Sequence, residues 1–340
     1  MKIALIGFGY WGNNLFRSFS QHPDFTLEAV AEHNTALHGA IRQRDARVKI
    51  KTDALAVLDD PEIEAVAIAT PVATHYELAR EALSKGKHVL VEKPMCGNAE
   101  HAADLVALAR RNDRTLMVDH TYLYHPAVTK LHELVGAGAL GTVSYYESQR
   151  VNLGLFQPDV NVLWDLAPHD LSIIDHLFHE EPIHVEGSGY CHVNPTLPDI
   201  CYVTLHYRSH MVAHLNLSWM SPVKVRRTAV GGSAKMVVWD DLDRDEPLKI
   251  YDSGINLLPQ GERSVIVPSY RIGDVSSPRL SNKEPLMEVI GHFGRVIRGE
   301  EASRMDGEKG LRVVRTLERI QRALDRSLAD VQRLDPAQNS

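Results

Sequence analysis

The chain has 340 residues, of which 44% are hydrophobic and 24% are charged. This composition is ordinary for a soluble protein, and at ~150 residues per domain the length predicts about two domains. The formal net charge is −7, from 37 basic and 44 acidic residues. Nucleic acid is therefore excluded as the main partner, because phosphate binding needs a clustered basic surface.

The cysteines and the absence of long apolar runs indicate in which cellular compartment the protein is expected. Cys96, Cys191 and Cys201 form neither a disulfide framework nor a C-x-x-C site, which indicates a reducing environment. The first predicted strand begins at Lys2, so no signal peptide is expected. No apolar run approaches the ~18 residues that span a bilayer. We therefore expect a cytoplasmic protein with no membrane partner.

Strand and helix patterns alternate over residues 1–120. Short apolar runs that predict strands lie at residues 3–6 (within a strand that begins at Lys2), 27–31, 66–69, 88–91 and 116–118, and helices are predicted at 12–20, 35–44, 74–85 and 99–111. Near-continuous apolar strands between helices are typical of a parallel sheet that is buried on both faces. We predict a Rossmann domain over residues 1–120.

The pattern changes after Tyr124, where period-two alternation predicts antiparallel strands. Strands are predicted at residues 142–151, 184–192, 201–207, 211–219, 224–230 and 235–239, and helices at 126–136, 165–178, 284–298 and 310–328. Residues 240–282 are predicted to be long connections, and residues 335–340 a frayed end. Residues 121–340 therefore form a predicted α+β domain with a mostly antiparallel, open sheet.

A glycine-rich loop directly follows the first strand and opens a helix, with the sequence Gly7-Phe8-Gly9-Tyr10-Trp11-Gly12. In this context the pattern is typical of dinucleotide binding. Gly7 permits a tight turn, Gly9 lets the backbone approach a pyrophosphate, and Gly12 allows the helix to pack closely on the strand. The N-terminus of the helix offers N–H groups to the phosphates.

Glu32 stands 20 residues after Gly12, at the end of the second predicted strand. A carboxylate at this point accepts both ribose hydroxyls of an adenosine and repels a 2′-phosphate. No arginine lies beside it, since the next residues are His33 and Asn34. The pattern predicts NAD rather than NADP as the cofactor. The alternative is a glycine turn with a surface glutamate.

A lysine follows the strand at residues 88–91, in the segment Glu92-Lys93-Pro94. The carboxyl ends of the strands face the ligand crevice in a doubly wound sheet. Lys93 is therefore a candidate for the nicotinamide end of the cofactor. The alternative is a surface lysine at a strand end.

An acid–base candidate lies on a later helix. Oxidation of an alcohol needs a group that accepts the hydroxyl proton. Asp165 and His169 are four residues apart, so they share one helix face, where a carboxylate orients an imidazole and raises its basicity. Alternatively, Asp165 is the helix N-cap and Pro168 lies in the first turn. The residues alone leave both interpretations open.

These segments together resemble the Gfo/Idh/MocA family, named for glucose–fructose oxidoreductase and inositol dehydrogenase. The resemblance rests on the glycine loop, the run Ala-Thr-Pro-Val-Ala-Thr-His at 69–75, the run ending Glu-Lys-Pro at 86–94, and Asp165-x-x-x-His169. It covers nearly the whole chain. It implies an NAD-dependent oxidoreductase that acts on CH–OH groups. It also implies a homodimer or homotetramer, assembled through the open face of the C-terminal sheet.

The resemblance also implies roles for individual residues. His169 would be the acid–base, Lys93 would position the hydroxyl and help it ionise, and Asp165 would orient its neighbours. The cofactor-binding residues implied by the motifs are Gly7, Phe8, Gly9, Tyr10, Trp11, Gly12, Glu32, Thr70, Pro71, His75, Glu92 and Lys93.

Within the family, residues 9–15, 152–161 and 164–171 resemble a subgroup from polysaccharide and amino-sugar biosynthesis. This subgroup includes UDP-N-acetylglucosamine 3-dehydrogenases. The chain departs from the inositol dehydrogenase pattern just before Asp165, where Val162-Leu163-Trp164 replaces a glycine-rich turn.

Four residues are candidates for contact with the substrate. The altered turn leads us to expect Trp164 in the substrate pocket. Tyr124 lies just past the last Rossmann strand and is a candidate for the same crevice, with core packing as the alternative. Arg150 and Asn152 complete the set.

No metal site is expected. His206, His210 and His214 recur every four residues, but this segment is predicted to be two strands with a turn, where the spacing does not bring three imidazoles together.

The leading hypothesis is oxidation of a secondary alcohol on a sugar or nucleotide sugar, favouring the 3-hydroxyl of a UDP-N-acetylhexosamine. The alternatives are an inositol-like polyol or monosaccharide dehydrogenase, a glycosidase that uses NAD, and a non-catalytic regulator that binds NAD. A regulator would have no need for Lys93, Asp165 and His169 together.

Overall fold

The computed structural model describes residues 1–154, 156, 160–256 and 269–334. The chain forms two compact units, the first made of Met1–His125 with Lys283–Glu318 and the second of Pro126–Asn282 with Arg319–Ser340. The domains predicted from the sequence run from 1 to 120 and from 121 to 340. The main difference is that Lys283–Glu318 belongs to the unit that contains the parallel sheet.

The structure gives the following bounds for the strands and helices. The strands are β1 (Lys2–Ile6), β2 (Thr26–Ala31), β3 (Lys49–Lys51), β4 (Ala65–Ile68), β5 (His88–Glu92), β6 (Leu116–Asp119), β7 (Val143–Leu153), β8 (His184–Tyr190), β9 (Ile200–His206), β10 (Val212–Ser218), β11 (Met220–Gly232), β12 (Met236–Asp240), β13 (Leu248–Tyr251), β14 (Gly254–Asn256), β15 (Ser269–Arg271) and β16 (Val275–Ser276). The helices are α1 (Tyr10–Gln21), α2 (His38–Arg44), α3 (Leu55–Leu58), α4 (His75–Ser84), α5 (Ala99–Arg111), α6 (Pro126–Gly136), α7 (Val162–Phe178), α8 (Pro285–Ile297) and α9 (Gly307–Leu334).

The first unit contains a six-stranded sheet in the order β3-β2-β1-β4-β5-β6, and every pairing in it is parallel. All residues of β4 and β6 are buried, as are the last four of β1 and of β5. The predicted Rossmann sheet is confirmed. The pattern did not predict β3 and α3, because three or four residues are too few to show a period.

Residues 283–318 return to the first unit because α8 carries an apolar face. Phe293 is fully buried and stacks on Phe25, with ring centroids 6.0 Å apart. Arg17 pairs with Glu284, just before this helix. An apolar helix face shows that a helix is buried but does not identify what covers it, so the sequence pattern did not assign this segment to the first unit.

The second unit contains an eight-stranded sheet in the order β16-β13-β12-β11-β7-β10-β9-β8. Its pairings are antiparallel except that of β7 with β10. The predicted α+β architecture is confirmed. Residues 240–282 were predicted as connections, but the described part of this stretch includes four short strands, β13 to β16. Residues 335–340, predicted as frayed, lie outside the described residues.

One face of this sheet is covered and the other is open. On β9, Cys201, Val203 and Leu205 are buried, whereas Tyr202 is 45% exposed. Helix α7 packs against β7, β9 and β10. Because side chains alternate along a strand, the buried residues of β9 share one face of the sheet, and α7 covers this face.

Candidate active site

The glycine loop has the geometry expected of a dinucleotide-binding turn. Gly7 adopts a φ of +93°, and a Cβ there would lie 2.7 Å from the carbonyl oxygen of Ala69. A Cβ on Gly12 would lie 2.2 Å from the carbonyl oxygen of Gly7. Only glycine fits at these two positions.

The N-terminus of α1 faces open space. Gly9 is the N-cap of α1, so no side chain caps the first turn, and a Cβ built on Gly9 meets nothing within 4 Å. Tyr10, the first residue of the helix, is 84% exposed. The residues therefore fit a bound pyrophosphate, which would approach Gly9 and accept from the N–H groups of the first turn.

Glu32 is buried directly after β2, and its carboxylate accepts hydrogen bonds from two backbone N–H groups. Phe8 N donates to Oε2 and Asn34 N to Oε1, each over 2.7 Å. The ring of His33 lies 3.3 Å from Oε1 but is 92% exposed. A carboxylate accepts about four hydrogen bonds, so Glu32 retains the capacity to accept from ribose hydroxyls.

His75 links two of the predicted cofactor segments. Its Nε2 lies 2.8 Å from the carbonyl oxygen of Thr70, and its Nδ1 lies 3.0 Å from that of Pro94. The imidazole is buried, while Pro71 is exposed. His75 therefore holds the turn after β4 to the turn after β5, which is a structural function. Its direct contact with a cofactor stays a prediction.

Lys93 lies at the carboxyl end of β5, half-buried and joined to Pro94 by a cis peptide bond. Its backbone N–H donates to Oε2 of Glu92 over 3.1 Å. Glu92 is only 8% exposed and lies opposite Asp119 of β6 in the sheet register. Its side chain therefore lies on the same face of the sheet as that of Asp119, and its predicted contact with the cofactor stays a prediction.

Trp11 of the glycine loop forms a hydrogen bond with Asp119, the last residue of β6, which is an edge strand of the parallel sheet. Its indole Nε1 donates to Oδ2 of Asp119 over 3.1 Å, and Thr121 Oγ1 donates to Oδ1 over 2.6 Å. The loop, β6 and the turn after β6 are thus joined through one buried carboxylate. Asp119 was not predicted, although its position at the carboxyl end of a strand was a usable signal.

In the second unit, α7 begins three residues earlier than predicted and is capped by Asn161. The side chain of Asn161 accepts from the backbone N–H of Trp164 over 3.2 Å. Pro168 therefore lies inside the helix, past the first turn. The alternative that Asp165 caps the helix is wrong, because Asn161 occupies that position.

The structure places Asp165 and His169 one turn apart on α7, both half-buried. Oδ2 of Asp165 accepts from the indole Nε1 of Trp219 over 3.2 Å. Trp219 is 2% exposed and is fixed by backbone hydrogen bonds to Asp199 and Gly154. Asp165 is therefore held by an N–H donor from 54 residues away, which no local pattern indicated.

The candidate substrate residues lie in unlike environments. Trp164 is half-buried, and its indole Nε1 donates to Gln321 over 3.0 Å. Asn152 is half-buried and donates to the backbone of Leu153. Part of the segment 152–161 that carried the subgroup resemblance lies outside the described residues.

Arg150 is 4% exposed, and its Nε lies 2.7 Å from Oδ2 of Asp170. Tyr146 donates to the other oxygen of Asp170 over 2.9 Å. Since Asp170 follows His169 directly, this ion pair anchors the turn of α7 that carries His169 to β7. Arg150 therefore has the environment of a structural residue. Removing one partner of a buried ion pair lowers the stability of the fold by ~3–5 kcal/mol.

Tyr124, in the first unit, has the environment of a core residue. It is 5% exposed, its ring lies 5.5 Å from that of His292, and burial raises the pKa of its hydroxyl. This packing favours the core alternative for Tyr124.

The three histidines spaced by four residues do not form a cluster. His206 lies on β9, His214 on β10, and His210 in the turn between them with a φ of +67°. In the described part of the chain, no group of three or more His, Cys, Asp or Glu side chains is arranged to hold a metal ion.

Known proteins share both units of this chain. The family model for the NAD-binding Rossmann fold of the GFO_IDH_MocA oxidoreductases matches residues 1–120, and that for the GFO/IDH/MocA C-terminal domain matches residues 128–238. The chain belongs to the Gfo/Idh/MocA family. It is therefore an oxidoreductase with an NAD-binding Rossmann domain, as the resemblance implied. No helix in the described residues is long and apolar enough to cross a membrane.

Two relatives cover almost the whole chain. The chain is 27% identical over 319 residues to the UDP-N-acetylglucosamine 3-dehydrogenase of Acidithiobacillus ferrooxidans, covering 92% of this chain and 94% of that protein. A crystal structure of that organism's enzyme has a TM-score of 0.80 at 25% identity and covers 96% of this chain and 99% of the other. The structure of an oxidoreductase from Magnetospirillum magnetotacticum MS-1 has a TM-score of 0.79 at 30% identity, covering 94% and 99%.

Proposed function

We propose that this oxidoreductase is an NAD-dependent dehydrogenase that oxidises a secondary alcohol of a sugar or nucleotide sugar, with the 3-hydroxyl of a UDP-N-acetylhexosamine as the favoured substrate. The observation that carries the proposal is the geometry of α7. Asp165 and His169 share one face of this helix, and Asn161 rather than Asp165 caps it. Asp165 is thus available for a role in catalysis.

The residues perform the following steps. His169 accepts the proton of the substrate hydroxyl, and Asp165 orients the imidazole and stabilises its charged form. Trp219 in turn keeps Asp165 in place by donating to its carboxylate. Lys93 positions the hydroxyl and favours its ionised form. Loss of this proton from the hydroxyl oxygen, and of a hydride from the carbon that carries this oxygen, gives a ketone.

NAD would be held by the glycine loop and Glu32, and when bound it supplies the hydride acceptor. Gly9 and the first turn of α1 would take the pyrophosphate, and Glu32 the adenosine ribose. A 2′-phosphate would lie against the buried carboxylate of Glu32, and His33, whose ring lies 3.3 Å from this carboxylate, is mostly exposed. This arrangement supports a preference for NAD over NADP.

The sugar class rests on similarity over the whole chain. The relative from Acidithiobacillus ferrooxidans, which is named for oxidation of UDP-N-acetylglucosamine at position 3, matches 92% of this chain. Trp164 differs from the glycine-rich turn typical of inositol dehydrogenases, and its ring is held beside the catalytic turn through Gln321. Both observations support an amino-sugar nucleotide rather than an inositol.

The test is a panel of UDP-sugars, free hexoses and inositols with NAD, followed by NADH absorbance. We expect the highest kcat/KM with a UDP-N-acetylhexosamine. Activity confined to inositols or free hexoses would overturn the choice of substrate. Release of a free sugar from a glycoside without net NADH would instead identify an NAD-using glycosidase. NAD binding with no turnover of any panel member would favour a regulator.

We also propose that the protein assembles as a homodimer or homotetramer through the open face of the eight-stranded sheet. The register of β8, β9, β10 and β7 places Tyr190, Tyr202 and Tyr145 on one face, each at least 36% exposed. Aromatic side chains are enriched at protein interfaces. Light scattering after gel filtration tests this, with Tyr202→Glu expected to give monomers. A monomeric wild type would refute it.

A further inference from the structure

Two carboxyl groups lie side by side, buried at the carboxyl end of the parallel sheet. Glu92 ends β5 and Asp119 ends β6, and the two residues pair directly in the sheet register. They are 8% and 2% exposed, and the register places their side chains next to each other on one face of the sheet. Two buried carboxylates on adjacent positions of neighbouring strands cannot both be ionised at ordinary cost, which favours a proton on one of them.

The hydrogen-bond donors around the pair are divided unequally. Asp119 accepts from Trp11 Nε1 over 3.1 Å and from Thr121 Oγ1 over 2.6 Å. Glu92 Oε2 accepts only the backbone N–H of Lys93, and its buried Oε1 meets no N–H or O–H donor among the described residues. Fewer donors stabilise the ionised form of Glu92, and this assigns the proton to Glu92.

The electrostatics agree with this assignment. Burial, and then the charge and hydrogen bond of Asp119, hold the pKa of Glu92 well above its usual range, and the opposing influence of Lys93 is smaller. The charged residues that act on Glu92 are Asp119 on the neighbouring strand and Lys93 on its own. On the other side of β5, the pairing with β4 ends at Ile68 and Val91, and the residue that follows Ile68, Ala69, carries no charge.

We infer that Glu92 and Asp119 hold one proton between them and form a positioning pair that links Lys93 to Trp11 of the glycine loop. Protonated Glu92 donates to Asp119 while accepting from the backbone of Lys93. The proton also removes a negative charge that would attract the Lys93 ammonium away from a substrate hydroxyl. The shared proton is independent of the proposed function, and only this last consequence rests on it.

The first test measures the shared proton through stability. Between the pKa of an unfolded glutamate and the raised pKa in the native protein, the native state holds one proton more than the unfolded chain. Its stability therefore falls as pH rises through that window, by up to about tenfold in the unfolding equilibrium constant per pH unit. Glu92→Gln carries an amide that imitates the protonated acid, so the variant should lose this part of the slope.

The matched control is Glu64→Gln, which removes an exposed carboxyl just before β4. Urea unfolding of the wild type and both variants at a series of pH values gives, for each protein, the slope of the free energy of unfolding against pH. We expect the control to follow the wild type and Glu92→Gln to become more stable relative to them as pH rises. Equal slopes for all three proteins would overturn the inference.

A second measurement does not depend on unfolding. The infrared difference spectrum of wild type minus Glu92→Gln at neutral pH should contain the C=O stretch of a protonated carboxylic acid. A difference spectrum with carboxylate bands alone would place an ionised Glu92 in the native protein and refute the assignment. Both measurements give the same answer whether or not the protein oxidises sugars, so failure here is distinguishable from failure of the proposed function.

The positioning role has its own readout. Glu92→Gln preserves both hydrogen bonds of the pair and Glu92→Ala removes them, so the glutamine variant should retain at least about ten times more of the wild-type kcat. Equal losses in the two variants would show that the pair does not position Lys93.

Discussion

Substitutions of Asn161 and Asp165, which lie at the start of α7, should have different effects: the first on stability and the second on catalysis. Asn161 caps α7, and its Nδ2 also donates to Gln321 over 2.9 Å. Removing a cap costs typically ~1 kcal/mol, and losing a partly buried hydrogen bond costs about 0.5–1 kcal/mol more. We therefore expect Asn161→Ala to lower the free energy of unfolding by about 1.5–2 kcal/mol.

Asp165→Asn should have the opposite profile. The amide oxygen of asparagine still accepts from Trp219, so stability should change by less than about 0.5 kcal/mol. The variant loses the charge that favours a protonated imidazole, so kcat/KM should fall at least ~10-fold. The pH profile of kcat/KM should also move to lower pH.

Urea unfolding monitored by circular dichroism measures the first effect, and steady-state kinetics from acid to alkaline pH measure the second. Asn161→Ala is the control for a general disturbance of α7, and it should leave the position of the pH profile unchanged. The reasoning is refuted if Asp165→Asn leaves both the rate and its pH profile as in the wild type. It is also refuted if Asp165→Asn destabilises the protein as much as Asn161→Ala does.

Three further predictions concern the other residues of the site. His169→Ala should lower kcat/KM by ~10²–10⁴-fold, the usual contribution of a positioned acid–base, and near wild-type turnover would remove His169 from the mechanism. Lys93→Ala should nearly abolish turnover while an NAD titration still shows binding, whereas joint loss of binding would make Lys93 a cofactor ligand or a structural residue. The kcat/KM with NAD should exceed that with NADP, and Glu32→Ser combined with His33→Arg should narrow the difference; equal or better use of NADP by the wild type would contradict the role of Glu32.

Local patterns in the sequence were sufficient for much of the fold. The buried strands of the first sheet, the glycine loop after β1 and the four-residue spacing on α7 each depend on neighbours along the chain. Hydrophobic period and steric rules act over a few residues, so a single sequence displays them directly. Even the cap of α7 was within reach, because asparagine is a preferred N-cap residue and Asn161 stands one position before the helix.

Only the tertiary structure decided which of these residues meet. Trp219 reaches Asp165 across 54 positions, and Trp11 reaches Asp119 across 108. The order of strands in a sheet sets such pairings, and neither composition nor period encodes that order for residues far apart. Arg150 illustrates the consequence, since a charged residue on a predicted strand is expected to be exposed. The register of β7 instead turns its side chain to the covered face, where Asp170 completes a buried ion pair.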